Sequence, residues 1–116
     1  MKKVVSITLV AIITMFFYSC EKDNNKATLK KLYKMYKDGE IDECKYKGDI
    51  VYCAGLNAFD AGAVIYDKDG KQIGSCSYAW GPVDSICKQL TNCKVIYRVK
   101  NNIWGEPAVD KYGLGK

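Results

Sequence analysis

The residues of this chain that could do chemistry are its cysteines, because the sequence contains six cysteines and no histidine. Without histidine, neither a Ser-His-Asp triad nor a Cys-His pair can form, and no imidazole can bind a metal. A thiol can instead carry a lipid, form a disulfide or act as a nucleophile. We therefore predict no catalytic residue set, no metal site and no other cofactor. The thiols belong to Cys20, Cys44, Cys53, Cys76, Cys87 and Cys93.

Cys20 ends a segment with the pattern of an export signal. Lys2 and Lys3 precede an apolar run over residues 4–18, and polar residues follow Cys20 at once. This run of about 15 residues is shorter than the roughly 20 that a membrane span needs, and Ser19 before Cys20 resembles a lipobox. The pattern predicts a signal peptide over residues 1–19, palmitate or a related lipid on Cys20, and a tether over residues 20–26. The chain would then be a lipoprotein of the cell envelope, anchored in the outer membrane on its periplasmic or surface face.

Export would carry the other five cysteines to an oxidising compartment, where disulfides are expected and an odd number leaves one thiol unpaired. Such bonds matter because removal of residues 1–19 leaves only 97 residues, and a core of that size is marginal on its own. Loss of Lys2 and Lys3 lowers the formal net charge from +5 to +3. This weak charge argues against a nucleic-acid partner.

Residues 27–116 read as one small domain that begins with a helix. From Ala27 to Asp38, Leu29, Leu32, Tyr33 and Tyr36 recur at helical spacing, lysines occupy the other faces, and Gly39 follows. A basic helix beside a lipid anchor could lie on anionic headgroups. The interpretation that we favour is that its apolar face packs on a sheet and its lysines are solvated.

A first hairpin is predicted over residues 42–54, with a two-residue turn at Gly48-Asp49. That register places Cys44 opposite Cys53 in a non-hydrogen-bonded pair, close enough for a disulfide. A competing register, centred on Lys47-Gly48, would place Cys44 opposite Val51 and leave Cys53 free to reach Cys76.

The rest of the chain predicts a second hairpin, a second helix and a final strand. Asp67 and Gly70 suit the turn between strands at 63–66 and 71–76, and Gly81-Pro82 opens a helical pattern that runs to Leu90. Alternation over residues 93–100 indicates a half-buried strand. Cys87 and Cys93 would then bracket a tight turn and form the second disulfide, with Cys76 as the free thiol. The tail, residues 101–116, is predicted to wrap irregularly, docked by Trp104 and Tyr112.

Residues 43–76 resemble small Cys-rich lipoproteins of the Bacteroidota type. The strings that carry the resemblance are Tyr46-Lys47-Gly48-Asp49-Ile50-Val51-Tyr52, Asp60, and Ile65-Tyr66-Asp67-Lys68-Asp69-Gly70-Lys71-Gln72-Ile73. In that group, acidic residues after the lipidated Cys can direct display on the outer surface, and Glu21 and Asp23 resemble them. The resemblance implies no particular activity.

These patterns together predict an α+β fold, a small and mostly antiparallel sheet of about five strands with two helices, stapled by disulfides. The favoured function is a non-catalytic binding module, tethered by its lipid, that meets an envelope or extracellular protein, peptide or glycan. The residues that could make this contact are Trp80, Trp104, Lys94, Arg98 and Lys100. The alternative is a thiol redox protein that uses the unpaired cysteine, predicted to be Cys76.

Overall fold

A computed structural model describes residues 25–58, 62–77 and 83–116 of the chain. The predicted signal peptide, Cys20, Trp80 and the predicted helix start at Gly81-Pro82 lie outside these residues. The described elements, in chain order, are a helix α1 over residues 25–36, strands β1 Glu40–Tyr46, β2 Asp49–Gly55, β3 Ala63–Asp67 and β4 Gln72–Cys76, a 3-10 turn η1 Ser85–Lys88, and strands β5 Thr91–Arg98 and β6 Val109–Asp110.

Helix α1 confirms the amphipathic pattern. Leu29, Leu32 and Tyr36 are buried against the sheet, while the lysines of the opposite face are exposed. Polar contacts also fix the helix, because the Tyr36 and Tyr66 hydroxyls are 2.7 Å apart and share a hydrogen bond. Within the described ranges, no helix is long and apolar enough to cross a bilayer.

The six described strands form one antiparallel sheet in the order β4-β3-β2-β1-β5-β6. Alternation along each strand sends its side chains to two faces. One face packs against α1 through Ile41, Tyr52 and Ile96. The other face holds a second apolar cluster, in which Val51 and Ile65 pack against Ile86 of η1. The α+β class is therefore confirmed, with a larger sheet than predicted.

The first hairpin adopts the competing register. Its turn is Lys47-Gly48, both with positive φ (51° and 84°), and Cys44 faces Val51. This is a two-residue turn in which both central residues are left-handed, a type that matches the twist of the strands. The predicted Gly48-Asp49 turn and the pairing of Cys44 with Cys53 are therefore wrong.

The disulfides join different partners from those predicted. Cys44 of β1 bonds Cys93 of the neighbouring strand β5, with Cα atoms 4.1 Å apart, and Cys76 of β4 bonds Cys87 of η1, with Cα atoms 5.9 Å apart. Among the described cysteines, Cys53 is the free thiol. The predicted Cys87–Cys93 bridge and the predicted free thiol at Cys76 are therefore wrong, while the presence of two disulfides is confirmed.

The predicted second helix is replaced by the short η1. Its N-cap residue Asp84 turns towards the sheet edge, where its Oδ2 accepts a hydrogen bond from the Ser75 backbone N–H at 2.8 Å. Close contact also requires Gly74, since a Cβ there would lie 2.5 Å from Ile86 Cγ2. The segment is therefore held flat on β4 by side-chain bonding and packing, which compete with a regular helix.

Candidate functional site

The larger candidate site is a groove between α1, β2 and the C-terminal tail, with a cavity of about 480 Å³. We call it the tail groove. Its volume is within the range of small-ligand pockets. The apolar and aromatic residues along it are Leu29, Ile50, Tyr52, Tyr112 and Leu114, the charged ones are Lys26, Lys30, Glu43 and Lys116, and Asn25 and Gly113 complete the lining.

Asp110 builds the tail wall of this groove. Its Oδ1 accepts a hydrogen bond from the Leu114 backbone N–H at 2.7 Å, and its Oδ2 accepts one from Gly115 at 2.9 Å. Such aspartate-capped turns fix a loop without regular secondary structure. Because β6 pairs Asp110 with Tyr97 and Val109 with Arg98 of β5, the tail is anchored to the sheet before it closes the groove.

Glu43 is the acidic side chain among the described lining residues of the groove, and two neighbours hold it. The Tyr112 hydroxyl donates to its Oε1 at 3.1 Å, and Lys94 Nζ lies 3.4 Å from its Oε2. Below it, Tyr52 is almost fully buried, and burial, followed by the charge of Glu43, raises the pKa of Tyr52 to about 12. The groove therefore offers apolar contact, hydrogen-bond acceptors on Glu43 and positive charge at its rim.

A second, smaller concavity of about 310 Å³ lies at the other face of the sheet. We call it the acid cleft. Asp42 and Cys53 line it as cross-strand partners of β1 and β2. Its other described lining residues are Glu40, Ala54, Gly55, Leu56, Ala58, Gly62, Ala63, Ile103 and Trp104.

Burial determines the protonation of Asp42 in this cleft. Desolvation first, and then the charge and hydrogen bond of Glu40, raise its pKa to about 6, although the charge of Arg98 acts in the opposite direction. Arg98 itself is engaged elsewhere, since its Nη2 binds Glu40 Oε1 at 2.9 Å and its Nη1 donates to the Pro107 carbonyl at 3.2 Å. Asp42 Oδ1 has no hydrogen-bond partner among the described residues. Asp42 is therefore a half-buried acid that ionises at a higher pH than an ordinary aspartate.

The same environment suppresses the thiol chemistry of Cys53. Burial, with the charges of Asp42 and Glu40, raises the pKa of the thiol to about 11. Reactive cysteines need the opposite, a positive environment that favours the thiolate. The geometry of the acid cleft thus disfavours redox use of this free thiol.

The residues predicted to make contact do not form a single surface. Lys94 pairs with Glu43, and Arg98 pairs with Glu40, both on β1. The charges of Lys94 and Arg98 are therefore balanced within the fold. Lys100 is exposed in the turn after β5. Trp104 is 39% exposed at the acid cleft, on a different face from the tail groove, and Trp80 lies outside the described residues.

The sequence pattern did not identify two residues that position the sites, Asn102 and Asp110. Asn102, buried in the tail, bonds the Val99 and Glu106 carbonyls through Nδ2, each at 2.8 Å, and so closes the loop that carries Trp104. Asp110 does the same for the tail groove. Asn and Asp that cap turns are a known signal, and Asn101 with φ of 56° marks the first of these turns.

The Asp67-Lys68-Asp69-Gly70 turn is a structural feature. Asp67 Oδ1 accepts hydrogen bonds from the backbone N–H groups of Asp69 and Lys71, at 2.9 and 3.0 Å, as predicted for a capped turn. Within residues 25–58, 62–77 and 83–116, no three Cys, Asp or Glu side chains are grouped so that they could hold a metal ion. No protein-family model, curated protein or solved structure matches this chain.

Proposed function

We propose that this chain is a non-catalytic binding module, tethered to the envelope by a lipid on Cys20, and that the tail groove is its binding site. The partner is an extended segment of an envelope or extracellular protein that carries an apolar side chain next to a carboxylate. The single observation that supports this choice is the composition of the groove, an apolar floor under a lysine rim.

The floor supplies the affinity in this proposal. Leu29, Ile50 and Leu114 converge from the helix, the sheet and the tail, and full burial of one Leu or Phe side chain contributes about 1.5–3 kcal/mol. Their positions are fixed before the partner arrives, because the Asp110 turn and the sheet hold the walls. A preformed site loses less conformational entropy on binding.

The rim supplies the selectivity. Lys26, Lys30 and Lys116 have no carboxylate within 4.0 Å in the described part of the chain, whose two ion pairs involve Lys94 and Arg98. A partner carboxylate would therefore find free ammonium groups. Glu43, already held by Tyr112 and Lys94, keeps lone pairs that can accept a backbone N–H of the bound segment.

Site-specific photo-crosslinking tests this proposal in intact cells. A photoreactive residue in place of Lys116 is expected to give a discrete adduct that excess unmodified protein competes away. The same residue in place of Lys88, exposed on η1 at the other face of the sheet, is the matched control and gives no such adduct. Leu114→Glu should remove the Lys116 adduct by placing a charge on the apolar floor. Identical adducts from both positions, or none, would contradict the proposal.

A further inference from the structure

We infer that the solvent face of α1 is a docking surface for an anionic phospholipid bilayer. The surface is made of Lys26, Lys30, Lys34 and Lys37, which we call the lysine stripe. It goes beyond the proposed function, which concerns the tail groove, although Lys26 and Lys30 belong to both surfaces. It rests on that proposal for the lipid at Cys20.

The spacing of these lysines aligns their charges. Lys26, Lys30 and Lys34 are separated by four residues, and Lys37 follows directly after the helix, three residues further. Residues three and four apart lie above one another on a helix, so the four ammonium groups follow one side of α1. All four residues are exposed, while the opposite side of the helix is buried on the sheet.

The stripe is electrostatically unbalanced within the fold. The described residues hold two ion pairs, and neither uses a lysine of the stripe. Lys31, which lies off this line, is engaged by the Gly70 carbonyl at 3.2 Å. Like charges at i and i+4 destabilise a helix, so the lysine stripe lowers the stability of α1 in the isolated protein. An anionic surface would attract these lysines and offset their mutual repulsion.

The tether selects a bilayer as this surface. Cys20 lies five residues before the first described residue of α1, and five residues span at most about 17 Å even when fully extended. The lipid would therefore keep the stripe close to headgroups at high local concentration, and one acyl signal combined with a basic patch gives firmer membrane binding than either alone. Lys26 and Lys30 also line the tail groove, so docking would bring that groove to the membrane surface.

Lysine reactivity in the full lipidated chain tests the inference without altering the protein. The chain is reconstituted into phosphatidylcholine vesicles, with or without about a third of phosphatidylglycerol. Its amines are then acetylated by a water-soluble reagent and quantified by peptide mass spectrometry. We expect the stripe to react several-fold more slowly in the anionic vesicles, and this protection to vanish in about 1 M salt, where charges are screened. Lys88, on the other face of the sheet, is the internal control and should react equally in both.

A variant separates docking from local effects. Lys30→Gln combined with Lys34→Gln should remove the protection of Lys26 and Lys37 as well, because the stripe binds as a unit, whereas Lys88→Gln should leave it intact. Equal reactivity of the stripe in both vesicles would overturn the inference. Protection by a soluble sulfated glycan but not by phosphatidylglycerol would also overturn it and assign the stripe to glycans. If the chain does not float with neutral vesicles, it lacks the lipid anchor, and the inference is overturned. Crosslinking at Lys116 would still test the binding site in the tail groove.

Discussion

Asp42 shows how one buried acid can set the pH response of a small fold. The folded state keeps its proton up to pH 6 or so, because burial and Glu40 raise its pKa from 3.8 to about 6. The unfolded chain releases that proton near its ordinary pKa. Between these two values the folded state binds more protons, so this group makes the protein less stable as the pH rises from 4 to 6, and the loss persists above pH 6.

The variant Asp42→Asn should therefore stabilise the protein at pH 7.5 and have little effect at pH 4. The expected gain at pH 7.5 is about 1 kcal/mol, less than the full pKa shift would give because the partly exposed side chain is screened by solvent. Urea unfolding followed by circular dichroism at the two pH values measures it. Asp69→Asn, in an exposed turn, is the control and should change little at either pH. An equal effect of Asp42→Asn at both pH values would show that burial does not perturb this acid.

At the scale of elements, the two disulfides act on different parts of the sheet. Cys44–Cys93 closes 49 residues and joins β1 to β5, whereas Cys76–Cys87 closes 11 residues and pins η1 to β4. A crosslink restricts the unfolded chain more when the loop is longer, which gives about 4 kcal/mol for the first bond and about 3 kcal/mol for the second. Cys44–Cys93 should therefore contribute more to the free energy of unfolding than Cys76–Cys87.

The paired variants test this order. Cys44→Ala with Cys93→Ala should lower the free energy of unfolding by more than Cys76→Ala with Cys87→Ala. The second pair should loosen η1 while the sheet persists, because η1 lies mainly on the edge strand β4, to which Cys76–Cys87 ties it. Urea unfolding measures the stabilities, and hydrogen exchange of the Ser75 amide, which Asp84 holds, reports on η1. A larger loss from the second pair would show that edge packing outweighs loop closure.

Local patterns predicted the elements better than their register. The spacing of Leu29, Leu32 and Tyr36 indicated α1, and the Asp67 turn indicated the second hairpin, because both signals lie within a few residues. The first hairpin could not be decided in this way. The two candidate turns leave Val51 and Tyr52 on the same faces of the sheet, so alternation supports both registers, and a left-handed Lys47 is not expected from residue type.

The disulfide pairing and the two candidate sites depend on the register of the first hairpin, which the sequence pattern does not decide. With Cys44 opposite Val51, its partner comes from β5, a contact that only the complete sheet provides. Cys53 is then left in the acid cleft beside Asp42. The tail groove combines α1, β2 and residues 112–116, which are distant in sequence. A site of this kind has no local motif, whereas the spacing of the α1 lysines Lys30, Lys34 and Lys37 can be seen in the sequence itself.

At the scale of the whole molecule, the proposed lipid anchor would decide which partners the fold can reach. A lipid on Cys20 would confine the protein to two dimensions and orient α1 towards the bilayer. The variant Cys20→Ser removes the lipid acceptor, and the protein should then leave the membrane fraction, because a basic patch alone binds membranes reversibly. Fractionation of cells followed by immunoblotting measures the distribution, and Cys53→Ser, which alters the described free thiol, is the control that should stay in the membrane. If the Cys20→Ser protein remained with the membrane after a salt wash, the lipid anchor would be wrong. Cys20 would then rejoin the five other cysteines as a candidate disulfide partner for Cys53.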